Sequence, residues 1–588
     1  MGEHNVSLLD DKEKKAKFLK ALLDDVQALE FMLKNDWFES DVQRIGAEQE
    51  MVLVDKQYFK PSLIGPEVID NLQNKYKWIE TELAKFNIET NLNPRVFEKK
   101  AFSEMEKEIS EYLKITQKEL DKYNSQIVLT GVLPTIRKFD LELKNLTPKE
   151  RYKALMEAIN KQLLGQSYEL KILGIDELIV KHDSPLIEAC NTSFQVHLQI
   201  NPNEFVKMYN ISQVLAAPTM AIAANSPLVF GKRLWHETRI ALFQQALDTR
   251  SSHEHLRERS PRVRFGNDWV NDSILDIYKD DITRFRVLLS TDISENSLEK
   301  IDKNEIPKLM ALNVHNSTVY RWNRACYGIS DTGKPHLRIE NRVLPAGPTV
   351  VDEMANAAFW LGAMTGMAAE IEDIRDHISF ADARDNFGKA AKFGIDTKLT
   401  WFNDEKIGPN RLILEKLLPL AEKGLRLKNV NEKDIKKYLG VIEKRAQKHM
   451  NGARWQLRAF TKLKEKGTDD QALSILTAAM IENQKDNIPV SEWKLPKYHE
   501  LTKYKPSKLL VSEFMQTDLL TVQEDDIIEF VADLMVWKKN NFALVEDDKG
   551  NLVGLVDIKS ITEHLIKNKN LKKDGQFLLV SDIMDENP

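Results

Sequence analysis

The stretch Arg44–Val54, RIGAEQEMVLV, constrains this chain most, because it alternates. Side chains of an extended strand point to opposite faces in turn. Glu48, Glu50, Val52 and Val54 therefore share one face, and Gln49, Met51 and Leu53 the other. Two carboxylates that close repel each other unless a cation sits between them. Oxygen donors of this kind suit a hard cation such as Mg²⁺. A solvated edge strand would carry the same two acids, so the reading depends on whether other stretches repeat the pattern.

Three do. The second half of the segment Glu80–Pro94 places Glu89, Asn91 and Asn93 opposite Ile88, Thr90 and Leu92. Phe194–Ile200 sets Gln195, His197 and Gln199 against Phe194, Val196, Leu198 and Ile200. His336–Val343 sets His336, Arg338, Glu340 and Arg342 against Leu337, Ile339 and Val343. Helical patterns lie between and around them. Leu19, Leu22, Leu23, Val26, Leu29 and Leu33 mark an amphipathic helix within 12–34, and Met105 to Tyr123 mark a long one. Thr147-Pro148-Lys149-Glu150 is a helix-capping signal. Val214–Ala224 is almost wholly apolar and stops at Asn225-Ser226-Pro227, and residues 353–480 read as helices. The fold class is α+β. An antiparallel sheet carries helices on its apolar face, and its polar face lines a cleft.

Composition narrows the function classes. A length of 588 residues allows several domains or one large enzyme domain with an accessory. The formal net charge of −6 argues against a general nucleic-acid binder. Cys190 and Cys326, the two cysteines, are too few for a disulfide scaffold and fit a reducing compartment. The N-terminus has no apolar signal core, and the longest apolar runs fall short of the ~20 residues of a membrane span. The expectation is a soluble, cytoplasmic protein with no membrane and no nucleic-acid partner. Prolines 489, 496 and 506 among charges mark a linker at 486–505 between a catalytic unit, 1–485, and a tail, 506–588. The tail contains an internal repeat: LLVSEFM (Leu509–Met515) recurs as LLVSDIM (Leu578–Met584).

Pooled, the polar faces supply Glu48, Glu50, Glu89 and Glu340, with Glu82 close by, beside Gln195, His197, Arg338 and Arg342. Carboxylates beside arginines are the chemistry of a magnesium–nucleotide site, in which acids hold the metal and arginines stabilise a transferred phosphoryl group. No Walker A sequence and no dinucleotide glycine fingerprint is present. An ATP site here is therefore of another design. The arginine-dense stretch Asp248–Gly266 is the candidate lid that would shield such a site from water. Its Arg250, Arg257 and Arg264, with Arg338, are the candidate nucleotide contacts.

These residues carry a resemblance. GAEQE (Gly46–Glu50), ELAKFNIE (Glu82–Glu89), SFQVHLQI (Ser193–Ile200), ANSPLVFG (Ala224–Gly231) and IENRVLPAGPT (Ile339–Thr349) stand in the order of motifs of the glutamate–cysteine ligase type 2 and carboxylate–amine ligase superfamily. Asn451-Gly452-Ala453 followed by Trp455 resembles a late element of the same family. The resemblance implies a glutamine-synthetase-like sheet and an ATP-dependent ligase. ATP would phosphorylate the γ-carboxylate of glutamate, and an amine, by family default cysteine, would attack the acyl phosphate, as in glutathione biosynthesis. It implies Glu48, Glu50, Glu82, Glu89, Gln195 and Glu340 as Mg²⁺ ligands, Arg239 and Arg342 as contacts to carboxylate or phosphoryl group, and a less defined role for His197. A different amine or acid, or an adenine-nucleotide-sensing regulator without catalysis, stays open.

Residues 506–588 resemble a CBS domain through VSEFM (Val511–Met515), Thr521-Val522, the helix Ile527–Trp537, Phe542–Glu546 and Gly550–Val556. Such domains work as pairs that bind adenosine ligands between copies. Asp557 and Ser560 stand where relatives often have the ribose-binding Thr and Asp. The resemblance implies an adenine-nucleotide site or a structural role such as pairing into a homodimer.

Overall fold

The computed structural model describes residues 7–8, 12–162, 168–182, 185–248, 260–498, 519–567 and 577–587. The chain divides into two compact units, 1–505 and 506–588. No helix among the described residues is long and apolar enough to cross a membrane.

The first unit is built on an eight-stranded sheet whose neighbours all run antiparallel. Its strands are β1 (Arg44–Asp55), β2 (Ile79–Thr81), β3 (Asn87–Asn91), β4 (Arg95–Val96), β5 (Ser125–Val128), β6 (Phe194–Ile200), β7 (Asn323–Ile329) and β8 (Pro335–Asn341). The order is β7-β8-β6-β1-β3-β2, with β4 and β5 pairing with the two ends of β1. β1 is thus the long central strand. Its alternation holds up to Glu50, and from Met51 to Val54 every residue is buried. There β5 pairs with it, and Leu53 bonds to the Phe86 carbonyl and the Ser62 amide.

Helices cover the apolar side. The helix α1 (Lys12–Lys34) precedes the sheet, and α2 (Ala101–Leu120) and α3 (Glu150–Gln162) follow β4 and β5. The buried helix α4 (Phe205–Ala223) follows β6, and α5 (Arg239–Ala246) and α6 (Ile274–Arg284) come before β7. The core helix α7 (Val350–Glu370) buries Met354, Phe359, Trp360, Leu361 and Met364 completely. Full burial of such a side chain stabilises by about 1.5–3 kcal/mol. It packs against α4, α8 (Leu418–Leu427) and α9 (Glu432–Lys448). The approach to α8 requires glycine: a Cβ on Gly366 would run into the Leu420 carbonyl, and one on Gly424 into the Gly362 carbonyl.

Two sequence motifs meet here. Asn225, at the end of α4, donates to the Ala346 carbonyl (2.8 Å) and accepts from Gln456 of α10 (Gly452–Lys464) at 2.8 Å. A Cβ on Gly452 would collide with the Asn225 side chain. The Asn-Ser-Pro and Asn-Gly-Ala motifs are two sides of one joint that seats the loop after β8. The last α-helix among the described residues of this unit is α11 (Asp469–Lys485). The sequence puts a linker at 486–505, but residues up to 498 belong to this unit. Trp493 is 8% exposed and stacks edge-on to Trp455, and Val490 donates its amide to Asp352 (3.0 Å). Burying the indole takes a large apolar surface out of water.

The second unit has β9 (Thr521–Gln523) parallel to β10 (Phe542–Glu546), and β11 (Leu552–Asp557) antiparallel to β10, with helices α12 (Ile528–Lys538) and α13 (Ile558–Lys567). Its core, which includes Val522, Val531, Met535, Val545 and Val556, is its own. The second copy of the repeat adds to it: Val580 is buried and bonds the Asp526 carbonyl. The first copy, Leu509–Met515, lies outside the described residues. Asp557 accepts from the Ser560 amide (2.7 Å) and so caps α13.

Candidate active site

The polar face of the sheet is a grid set by register. Glu50 of β1 is directly opposite Glu89 of β3, and Glu89 is opposite Glu80 of β2. Glu48 is opposite Gln195 of β6, and His197 is opposite Glu340 of β8. Glu82 joins from the turn after β2. Its backbone carbonyl accepts from Thr147 (2.6 Å), so the Thr147 hydroxyl holds Glu82 and does not cap α3 as its sequence position suggests.

Glu50, Glu82 and Glu89 each bring a carboxylate oxygen within 4.8 Å of the others. They line a cavity of about 220 Å³, together with Glu48, Gln195, Glu340, Arg239 and Arg342. Glu50 already accepts from the Ser193 amide (2.6 Å) and from Gln195 (2.7 Å).

The carboxylates divide into two groups. Burial, and then the Glu82 charge, push Glu50 up to about 8 against the pull of the Ser193 amide. Burial also raises Glu82, and burial with the charges of Glu48, Glu82 and Glu50 raises Glu89 well above the usual carboxylate range. Glu48 and Glu340 go the other way. Burial opposes ionisation of Glu48, but the charge and hydrogen bond of His197 outweigh it and bring Glu48 to about 2. His197 Nε2 lies 3.3 Å from Glu48 Oε1. Glu340 is buried too, yet Arg342 and Arg324 hold it well below the carboxylate range. Arg342 Nε is 2.6 Å from Glu340 Oε1 and also donates to Gln195 (3.0 Å); Arg324 Nη1 is 3.4 Å from Glu340 Oε2. Glu50, Glu82 and Glu89 crowd one another, whereas Glu48 lies beside His197 and Glu340 is paired with Arg342 and Arg324.

The other expected residues are scattered. Arg239 reaches the cavity wall, but its guanidinium is bonded to Glu237 (2.7 Å) and to the Val343 carbonyl (2.6 Å). Arg338 is on the polar face, donating to His197 Nδ1 (3.2 Å). Arg264 is away from the cavity, paired with Asp280 and lying over the Phe285 ring. Arg250 and Arg257, with most of the candidate lid, lie outside the described residues. The C-terminal end of that stretch is fixed: Val263–Arg264 pair with Tyr320–Arg321.

The cavity also holds residues the sequence patterns did not single out. Glu188, Asn191, Arg151, Arg324 and Trp322 line it. Glu188 is in the short 3-10 helix Pro185–Cys190, too short for a periodicity to mark a face. Burial and the Glu82 charge raise it to about 7, with Arg342 pulling the other way. Both side-chain polar atoms of Asn191 are without a hydrogen-bond partner. Leu155, Met156, Phe243 and Leu247 give one wall an apolar lining. Arg324 alternates correctly within β7, a signal that a fifth polar-faced strand was present.

The model of glutamate–cysteine ligase family 2 matches residues 44–476, and that of the CBS domain matches residues 511–567. No curated protein matches the sequence. Among solved structures, the chain is similar to the glutamate–cysteine ligase of Francisella tularensis in complex with AMP (13% identity, TM-score 0.42, 79% of this chain and 93% of that one). It is also similar to a bifunctional glutathione synthetase from Pasteurella multocida (13% identity, TM-score 0.39, 78% and 54%). A third is the ligase PafA in complex with the ubiquitin-like protein Pup (10% identity, TM-score 0.32, 74% and 72%). With a match that spans most of its length, the chain belongs to glutamate–cysteine ligase family 2, and it is an ATP-dependent carboxylate–amine ligase carrying a C-terminal CBS domain.

Proposed function

We propose that this ligase phosphorylates the γ-carboxylate of glutamate with ATP and couples it to cysteine, giving γ-glutamylcysteine, ADP and phosphate. The observation that carries the reading is the trio Glu50, Glu82 and Glu89, three converging carboxylates with Arg342 at their edge. Their chemistry fits Mg²⁺: all donors are hard oxygens, and Glu50 and Glu89 are raised first by burial and then by the neighbouring carboxylates, both of which a divalent cation would offset. Mg²⁺, when bound there, supplies charge neutralisation to the ATP phosphates. Glu48, Gln195 and Glu340 then serve to orient the site more than to hold the metal, since Glu48 and Glu340 already have partners in His197 and Arg342.

The chain's own groups do the remaining work. Arg342, fixed by Glu340 and Gln195 at the edge of the trio, offers a preorganised cation to the phosphoryl oxygens. Glu188, which has no side-chain partner among the described residues, would receive the ammonium of the acceptor and take its proton. Asn191 offers a free amide beside it. The apolar wall of Leu155, Met156, Phe243 and Leu247 suits an acceptor with a small, soft side chain. Both cysteines of the protein are free and buried, as suits a reducing cytoplasm. The CBS unit is the candidate for an adenine nucleotide and for pairing with a second chain. Calorimetry with AMP and light scattering of the full chain test those two roles.

The test of the main reading is phosphate release from Mg-ATP with glutamate, with and without a panel of amines headed by cysteine. Release that needs both glutamate and cysteine is the expected result. Release with another pair keeps the chemistry and changes the substrate. ATP binding without release for any pair overturns the ligase assignment in favour of a nucleotide-sensing regulator.

A further inference from the structure

A second, larger cavity of about 940 Å³ lies apart from the catalytic residues, between α2, α11 and the outer edge of β5. Pockets of this size hold small molecules. Its floor is apolar, formed by Leu113, Ile127, Leu129 and Ile481. Gln126 lines it and is 8% exposed, and no group among the described residues hydrogen-bonds its side-chain amide. An amide at a cavity wall with no protein partner is open to a polar ligand atom in place of water.

The edge of β5 is closed in an unusual way. Gln117 of α2 accepts from the Ile127 amide (3.1 Å) and donates to the Ser125 carbonyl (3.1 Å). Gln484 of α11 likewise accepts from the Leu129 amide (3.2 Å) and donates to its carbonyl (2.7 Å). Two side-chain amides satisfy the backbone that a further strand would have bonded, so the cavity stays open to an occupant that is not a strand. The rim is cationic. Lys56 and Lys485 are paired with Asp121 (2.8 Å) and Glu482 (2.7 Å), whereas Lys114 and Lys118, one helical turn apart, have no acidic partner among the described residues. Their aliphatic stems continue the apolar surface while the ammonium groups reach its mouth.

We propose that this cavity is a binding site for a small organic anion with an apolar body: the body rests on Leu113, Ile127, Leu129 and Ile481, the anionic group meets Lys114 and Lys118, and Gln126 bonds a polar atom of the ligand. This site is separate from the ligase centre and does not depend on the identity of the acceptor amine.

The test is titration of the full chain with 8-anilinonaphthalene-1-sulfonate, an aromatic sulfonate that fluoresces in apolar surroundings. Saturating Mg-ATP and glutamate are present to keep it from the substrate site. The expected result is a saturable component that weakens at least tenfold in the Lys114→Glu/Lys118→Glu double variant and in Leu113→Trp, which fills the floor. Dodecanoate displaces the dye, and inorganic phosphate at the same concentration does not. Lys114 and Lys118 are exposed, so an unchanged melting temperature for the double variant separates lost binding from lost folding. No saturable component, equal binding by both variants, or displacement by phosphate alone overturns the proposal.

Discussion

Glu50 sits where three pressures converge: burial, the facing Glu82 and Glu89, and two donors that already take its oxygens. Replacing it by glutamine keeps the shape and removes the charge that a divalent cation needs. Phosphate release in Glu50→Gln should fall on the order of 10²–10³-fold, the scale at which losing one preorganised electrostatic group acts. Turnover close to native would show that the metal is held elsewhere. Glu188 makes a pH prediction. Its carboxyl is raised to about 7, so it gains charge as pH rises through neutrality. The acceptor's KM should fall from pH 6 to 8, and Glu188→Gln should flatten that limb and raise the KM about tenfold, the loss of one charged contact. An unaltered acceptor KM in the variant removes Glu188 from the acceptor's place.

Elements carry two further predictions. α7 and α8 touch backbone to backbone through Gly362, Gly366 and Gly424. Gly366→Ala forces the helices apart and should destabilise by about 1–3 kcal/mol, read as a lower denaturation midpoint. Glu353 near the start of α7 is buried and accepts from the Gly347 amide. Burial raises its carboxyl to about 8, although Gly347 and Gln49 pull it down. Its folded value exceeds the unfolded one near 4.5, so its contribution to stability is whole below about 4.5 and is lost as pH rises to about 8. Glu353→Gln, neutral throughout, should show a melting temperature that gains on the native protein from pH 5 to 8 and runs parallel above. A constant difference across that range would mean that Glu353 titrates normally. The strands were legible at this scale because each has one wet and one dry face. Residues 486–498 were not, because prolines among charges read as linker while Trp493 and its partner Trp455 are 38 positions apart.

At the scale of the molecule, the two units own separate cores, one around the sheet and one around Val531, Val545 and Val556. A chain ended at residue 505 should therefore fold and keep its turnover, with differential scanning calorimetry showing one transition fewer. Loss of activity in a truncated chain that still melts cooperatively would assign the CBS domain a direct part in the reaction.

The local pattern alone determined the α+β class, the polar-faced strands, the acids they carry and the separate tail, because alternation and helical spacing are properties of neighbouring residues. The division of labour among those acids came only with the tertiary structure. Glu48 and Glu50 are two residues apart, yet His197 of β6 lies against one, while Glu82 and Glu89 crowd the other. Arg239 and Arg264 look alike in sequence to Arg342, but Glu237 and Asp280 bind the first two, and only Arg342 stands beside the trio with Glu340. Electrostatic role depends on which charges come within a few ångströms, and strand register sets that distance where sequence separation does not.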